Sequence, residues 1–166
     1  VYADAEDTLL QEVCKLIVNA GGYRMAWVGF AQHDEEKSVL MAAQSGFDEG
    51  YLESMRITWA ETELGHGPTG LAIRKGVTQV NQNFRTNPSM KPWRAAALAR
   101  GYQSSIALPL RNGAETFGVL TIYSEDPDAF NHEETGLLED LANELSFGIL
   151  MQRLRVKNRQ SEEALQ

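Results

Sequence analysis

The stretch SSIALPLRNGAETFGVLTIYS, residues 104–124, decides the fold. Its two runs of aliphatic, β-branched and aromatic residues, 104–110 and 116–124, are separated by Arg111-Asn112-Gly113-Ala114. Asn-Gly between apolar runs is the signal of a tight hairpin, so the two strands are expected to be adjacent and antiparallel. Toward the N-terminus, 23–31 (YRMAWVGFA) and 38–44 flank Asp34-Glu35-Glu36 and read as a second hairpin. Both of these strands are largely apolar, which predicts that both are covered on both faces. Long helical excursions between strands suit a parallel sheet, but two hairpins favour an antiparallel one.

The segments around the hairpins read as helices and loops. Residues 4–20 place Leu9, Leu10, Val13, Leu16, Ile17 and Ala20 at helical spacing before Gly21-Gly22 ends the pattern. Residues 45–87 are irregular, with a short helical stretch at 48–55. A second helix is expected over 69–75, opened by Pro68 and closed by Gly76, followed by an edge strand at 77–81. A polar loop at 83–91 then leads to a third short helix, 93–100, between Pro92 and Gly101. Asn131 with Glu134 three residues on reads as a capping box for a helix continuing to Gln166, its propensity interrupted at Gly148. The fold class is α+β, an antiparallel sheet covered by helices.

The chain has 166 residues, 43% apolar and 23% charged, enough for one domain with a real core. Fifteen Lys and Arg against 23 Asp and Glu leave a net charge of −8, a field that repels nucleic-acid phosphates and anionic membranes. No nucleic-acid partner is expected. A single cysteine, Cys14, excludes an intrachain disulfide framework and multi-cysteine metal or dithiol sites, and points to a cytoplasmic location. No apolar run approaches the roughly 20 residues that span a bilayer, so no membrane span is expected. A chain opening at Val1 reads as a piece of a longer protein.

The last helix carries two apolar stripes. At about 100° per residue from Leu138, residues Leu141, Ala142, Leu145, Ile149 and Val156 fall within about 60°, a face suited to packing on the sheet. On the other side Phe147, Met151, Leu154, Asn158, Ser161 and Leu165 alternate spacings of 4 and 3, the heptad seam of a coiled coil. Asn158 in that seam is the type of residue that fixes register. A parallel dimer contact and a frayed tail are the two readings, and the dimer is preferred. The charges at Arg153, Arg155, Lys157, Arg159, Glu162 and Glu163 suit a solvent-facing helix either way.

Four stretches together resemble the GAF domain family, in the bacterial type found upstream of PAS, histidine kinase or diguanylate cyclase modules. They are GYRMAWVGFA at 22–31, LGHGPTGLAIRKG at 64–76, KPWRAAALARGYQSSIALPL at 91–110 and FGVLTIYSEDPDAFNHEE at 117–134. The resemblance covers about 9–150 and implies a central antiparallel sheet of five or six strands. It further implies terminal helices on one face and a small-molecule pocket on the other, roofed by the short helices near Thr69 and Trp93. It assigns 1–150 to a sensory domain and 151–166 to the start of a coiled-coil signalling linker. The implied role is a dimeric, non-enzymatic regulatory module that senses a small molecule; the alternatives are a ligand-free dimerisation and relay module whose pocket its own side chains fill, and a haem or redox sensor using His66. Its signal would pass to a C-terminal output domain, in two-component or cyclic-di-GMP signalling. Departures narrow this role. Cys14 on the first helix does not suit covalent bilin attachment, and one cysteine does not suit a free-methionine sulfoxide reductase. Only the tail of a cyclic-nucleotide signature is present, in Phe130 and Glu133-Glu134. No cofactor is named by these residues.

Each candidate ligand residue also has a purely structural role open to it. His66, between Gly65 and Gly67, suits a ligand or haem iron, or is simply a loop histidine. Trp59 and Trp93 flank the irregular region and suit stacking at a pocket lip, or core packing. Arg94 suits bidentate pairing with a carboxylate or phosphate, or a surface ion pair. Thr121 and Tyr123 share a strand face with Phe117 and Val119 by alternation, and Ser105 projects similarly from the neighbouring strand. Polar groups on a covered face need partners, which a ligand, water or backbone can supply. Thr69 sits in Gly67-Pro68-Thr69-Gly70, a turn and helix start. No Ser/His/acid order, carboxylate pair or metal-ligand spacing makes a case for an enzyme.

Overall fold

Asp4 begins α1 (Ala5–Asn19) by accepting the Asp7 N–H at 2.7 Å, satisfying one of the donors that a first turn leaves open. The computed structural model describes residues 4–54 and 57–165. Residues 1–3, the expected helix residue Met55, and Gln166 at the end of the expected last helix lie outside the described residues. After α1 come β1 (Met25–Ala31), β2 (Val39–Gly46), α2 (Tyr51–Ser54), α3 (Pro68–Lys75), β3 (Gln79–Asn81), α4 (Arg94–Ala99), β4 (Ser104–Asn112), β5 (Glu115–Ser124) and α5 (His132–Ala164). Single 3-10 turns occupy Leu64–His66 and Pro88–Met90. The strands form one five-stranded sheet in the order β2-β1-β5-β4-β3, and every neighbouring pair is antiparallel. The β4–β5 loop is reduced to Gly113-Ala114, with φ +63° at Gly113, so the Asn-Gly signal is right and its Asn belongs to the strand.

α1 and α5 cover one face of the sheet. Ala26, Val28, Ile106, Leu108, Leu120 and Ile122 meet Leu10, Cys14, Ile17, Leu138, Leu145 and Ile149 in a continuous core. Burying each large aliphatic side chain stabilises by about 1.5–3 kcal/mol. Glu6 meets Arg153 and Leu9 meets Gly148, so the two helices run antiparallel. A Cβ at Gly148 would sit 3.0 Å from Leu9 Cδ2; close packing of α1 accounts for this glycine in α5. Asn131 accepts the Glu134 N–H at 2.8 Å as expected, but the Glu134 carboxylate takes the Tyr23 hydroxyl instead of returning to the cap.

Three expectations are corrected. β2 is not covered on both faces: it is the outer strand, α1 reaches Ala43 but not its first half, and Leu40 is 57% exposed. The core stripe of α5 ends at Ile149: Val156 lies beside Asp4, Ala5 and Glu6, where α1 begins, and is 48% exposed. Phe117 does not share a face with Val119. Leu110 pairs with Gly118 and Arg111 with Thr116, leaving Phe117 as the extra residue of a bulge that turns it to the helix side, where it stacks on Phe30. Arg153 lies over both rings, 4.7 Å from Phe30 and 5.4 Å from Phe117, and donates to Glu6 at 2.8 Å. No helix among the described residues is long and apolar enough to cross a membrane.

Candidate functional site

The opposite face of the sheet is built from different residues. The register sets Met25, Tyr123, Ser105 and Asn81 in one row and Trp27, Thr121, Ala107 and Gln79 in the next. Against these rows pack Tyr51, Ile73, Phe84, Met90, Ala97 and Tyr102. A strap over 57–66 leads into α3 and is tied down on both sides. Thr58 Oγ1 lies 2.9 Å from the Glu36 and Lys37 carbonyls, and the Trp59 indole N–H donates to the Gln32 carbonyl at 2.9 Å. From α3, Arg74 Nη1 reaches the carbonyls of Trp59, Ala60 and Gly65 at 3.0, 2.8 and 2.7 Å.

Strap, α3 and sheet enclose a cavity of about 30 Å³, room for roughly two or three waters or one group of a few atoms. Ser105, Thr121 and Tyr123 form its floor, with Thr69 from the first turn of α3 and Tyr51, Leu64, Met90 and Trp93 around it. Ser105 and Thr121 are 1% and 2% exposed, and neither hydroxyl has a hydrogen-bond partner. An unpaired buried donor of this kind costs about 1–3 kcal/mol. Gly67 caps α3 and Pro68 opens it; the Thr69 and Gly70 N–H groups precede the first bond of the helix, Leu71 N–H to Gly67 C=O at 3.0 Å. A Cβ on Gly67 would lie 2.4 Å from the Trp93 ring, so this glycine lets Trp93 form the cavity wall.

Three tyrosines back the cavity, with ring centroids 5.0 Å apart for Tyr51 and Tyr102, 5.7 Å for Tyr51 and Tyr123, and 4.6 Å for Tyr102 and Tyr123. Burial pushes all three phenols above the usual tyrosine range, and at Tyr123 it outweighs the opposite pull of Trp27 and Tyr51 beside it. They are therefore protonated at neutral pH. The Tyr102 hydroxyl is spent on the Phe47 carbonyl.

Of the residues singled out in the sequence, Thr69, Trp93, Ser105, Thr121 and Tyr123 come together at this cavity. Trp59 is part of the strap's anchorage, with Lys37 4.8 Å above its ring. His66 is exposed and faces a separate groove with Glu63 and Lys91, beyond Trp93. Arg94 is neither a ligand-facing nor an ion-paired cation: its Nε and Nη2 donate to the Phe84 and Asn87 carbonyls at 2.9 and 2.7 Å, holding the loop before it. Sequence reasoning missed Tyr51, Thr58, Leu64 and Met90. They lie in the irregular segment, where no periodicity marks an inward face. Cys14 belongs to the core on the other side of the sheet, where burial pushes its thiol up to about 12. No group of three metal-ligating side chains occurs among the described residues. On α5, Phe147, Leu154 and Asn158 face outward, Phe147 67% exposed, and Met151 is half-buried.

The family model described as GAF domain matches residues 3–149. No curated protein matches the sequence. A domain of a protein assigned as a two-component sensor histidine kinase, from Sinorhizobium meliloti 1021, has a TM-score of 0.74 at 18% identity, covering 95% of this chain and 99% of that one. A free methionine-R-sulfoxide reductase from Neisseria meningitidis, solved with its substrate, has a TM-score of 0.72 at 21% identity, covering 90% and 81%. The GAF domain of a phosphoenolpyruvate-protein phosphotransferase from Coxiella burnetii has a TM-score of 0.70 at 19% identity, covering 93% and 88%. At these identities the likeness is one of fold.

Proposed function

The chain belongs to the GAF domain family, commonly sensory or regulatory domains of signalling proteins, and we propose that it senses a small molecule in the cavity beneath α3. One observation carries this reading: two hydroxyls, Ser105 and Thr121, are buried without partners on the floor of a cavity. Native proteins pair almost all such groups, and a ligand supplies the missing partner. The strap that closes the cavity is bound to the β1–β2 hairpin and to α3, so an occupant that repositions Thr69 or Trp93 would shift a connected set of backbone bonds. A reductase reading draws no support from the site, because the single thiol is inert and on the other face of the sheet.

The signal leaves through α5. Residues 1–150 form the sensory unit and 151–166 begin the connector to an output domain. The outward stripe of Phe147, Met151 and Leu154 pairs with its copy in a parallel homodimer. Exposed large apolar side chains at heptad spacing support this, since a solvated helix face gains nothing from them. Native mass spectrometry of the freshly purified protein, compared with its denatured mass, tests both parts. A non-protein mass lost on denaturation and a dimer are expected. A bare mass with no ligand recovered on supplementation removes the sensing reading. Sedimentation of Phe147→Asp with Leu154→Asp should give monomer; an unchanged association state removes the dimer.

A further inference from the structure

We propose that the cavity takes a small monovalent oxyanion of three or four heavy atoms, held by the Ser105 and Thr121 hydroxyls and the first-turn N–H groups of α3. The inference rests on reading the cavity as a ligand site, and it names the chemical class that the lining selects. Size comes first: about 30 Å³ accommodates a few atoms, far below the 300 Å³ or more that organic ligands of drug size need. Polarity comes second. Thr69 and Gly70 present N–H groups at the start of an eight-residue helix, whose N-terminus carries roughly half a positive charge. The two unpartnered hydroxyls, each almost wholly buried, are free to donate to the same occupant. The phenols of Tyr51 and Tyr123 stay protonated beside them, so none of these groups adds negative charge.

Charge comes third. Among the described residues the cavity lining has no Lys, Arg or His side chain. Helix N–H groups and hydroxyls can offset one negative charge at low dielectric, whereas a dianion would keep most of its desolvation penalty. The site therefore discriminates by valence: a singly charged planar anion such as nitrate, formate or bicarbonate satisfies the donors, and sulfate or hydrogenphosphate does not.

The test is isothermal titration of the purified protein with sodium nitrate, sodium formate and sodium bicarbonate, and with sodium sulfate at matched ionic strength as the control. Saturable binding at one site per chain is expected for at least one monovalent anion, with sulfate at least about tenfold weaker. Ser105→Ala and Thr121→Val should each weaken that binding by about tenfold or more. Their unliganded melting temperatures should stay at or above that of the parent, which separates lost recognition from lost folding. Failure of all three anions, equal binding of sulfate, or unchanged binding in both variants overturns the proposal. If native mass spectrometry instead finds a neutral molecule that these two variants no longer retain, the sensing function stands and the oxyanion assignment falls. If no occupant is found by either method, both fall.

Discussion

Two buried hydroxyls of almost equal burial lie on opposite sides of the same sheet, and they are treated differently. Ser146 on α5, at 4% exposure, donates to the Ala142 carbonyl at 2.9 Å and accepts the Arg111 N–H at 3.3 Å. Thr121 on β5, at 2% exposure, has no partner. The contrast extends to the faces around them. The helix side is an aliphatic core in which even the one thiol is sealed and inert, while the other side gathers hydroxyls, phenols and a helix N-terminus around a small void. One face is arranged to hold the domain together, and the other keeps two hydroxyls without partners, at a cost that an occupant would relieve.

The largest expected effect falls on the helix side. Leu120→Ala removes a side chain that is fully buried between the sheet and the terminal helices and should destabilise by about 2–5 kcal/mol in urea unfolding. Thr121 is the next residue along β5, so a Leu120→Ala penalty below that of a pocket-side substitution would break the comparison.

Alkaline pH should act chiefly through the pocket side. The folded-state pKa values of Tyr51, Tyr102 and Tyr123 lie above their unfolded value near 10, so their contribution is fully present below that value. It is lost as pH rises, because the unfolded chain releases protons that the folded one retains. Stability should then fall by up to about 1.4 kcal/mol per pH unit for each buried phenol. Cys14 adds a similar slope from about pH 9 to 12. Urea unfolding from pH 8 to 11 checks this. Tyr123→Phe should flatten the slope, and an unchanged slope would mean that this phenol is not protected.

Much of the fold was legible because hairpins and amphipathic helices act over short distances. Gly113 set one turn and Asn131 one cap, and in both the local chemistry is what the structure uses. What could not be read depends on contacts far apart in sequence. β2 became the edge strand only because β5 took the other side of β1, and Phe117 changed face through a bulge opposite Arg111. The floor of the site, Ser105, Thr121 and Tyr123, was legible from strand alternation, whereas Tyr51 and Met90 on its walls come from a segment without periodicity. Arg94 suited either a ligand anion or a surface ion pair, since a sequence does not show that two backbone carbonyls of the preceding loop claim its guanidinium.

A moderate effect is expected at the wall of the cavity. Gly67→Ala places a methyl group against Trp93, and displacing the ring should cost about 1–3 kcal/mol and weaken ligand binding, visible together in thermal shift and titration. The smallest change carries the most information. Ser146→Ala should destabilise by about 1 kcal/mol by removing its hydrogen bonds to the Ala142 carbonyl and the Arg111 N–H, while Thr121→Val should be neutral or stabilising by about as much. Equal and same-signed effects of these two substitutions, measured by equilibrium unfolding without ligand, would erase the distinction between the faces.

The most direct measurement is an atomic-resolution crystal structure of the protein grown or soaked with sodium nitrate, inspected between Ser105 Oγ, Thr121 Oγ1 and the Thr69 and Gly70 nitrogens. The expected result is one planar occupant within hydrogen-bond distance of both hydroxyls and the start of α3. An empty cavity, with the two hydroxyls turned to carbonyls of their own strands, would contradict the account.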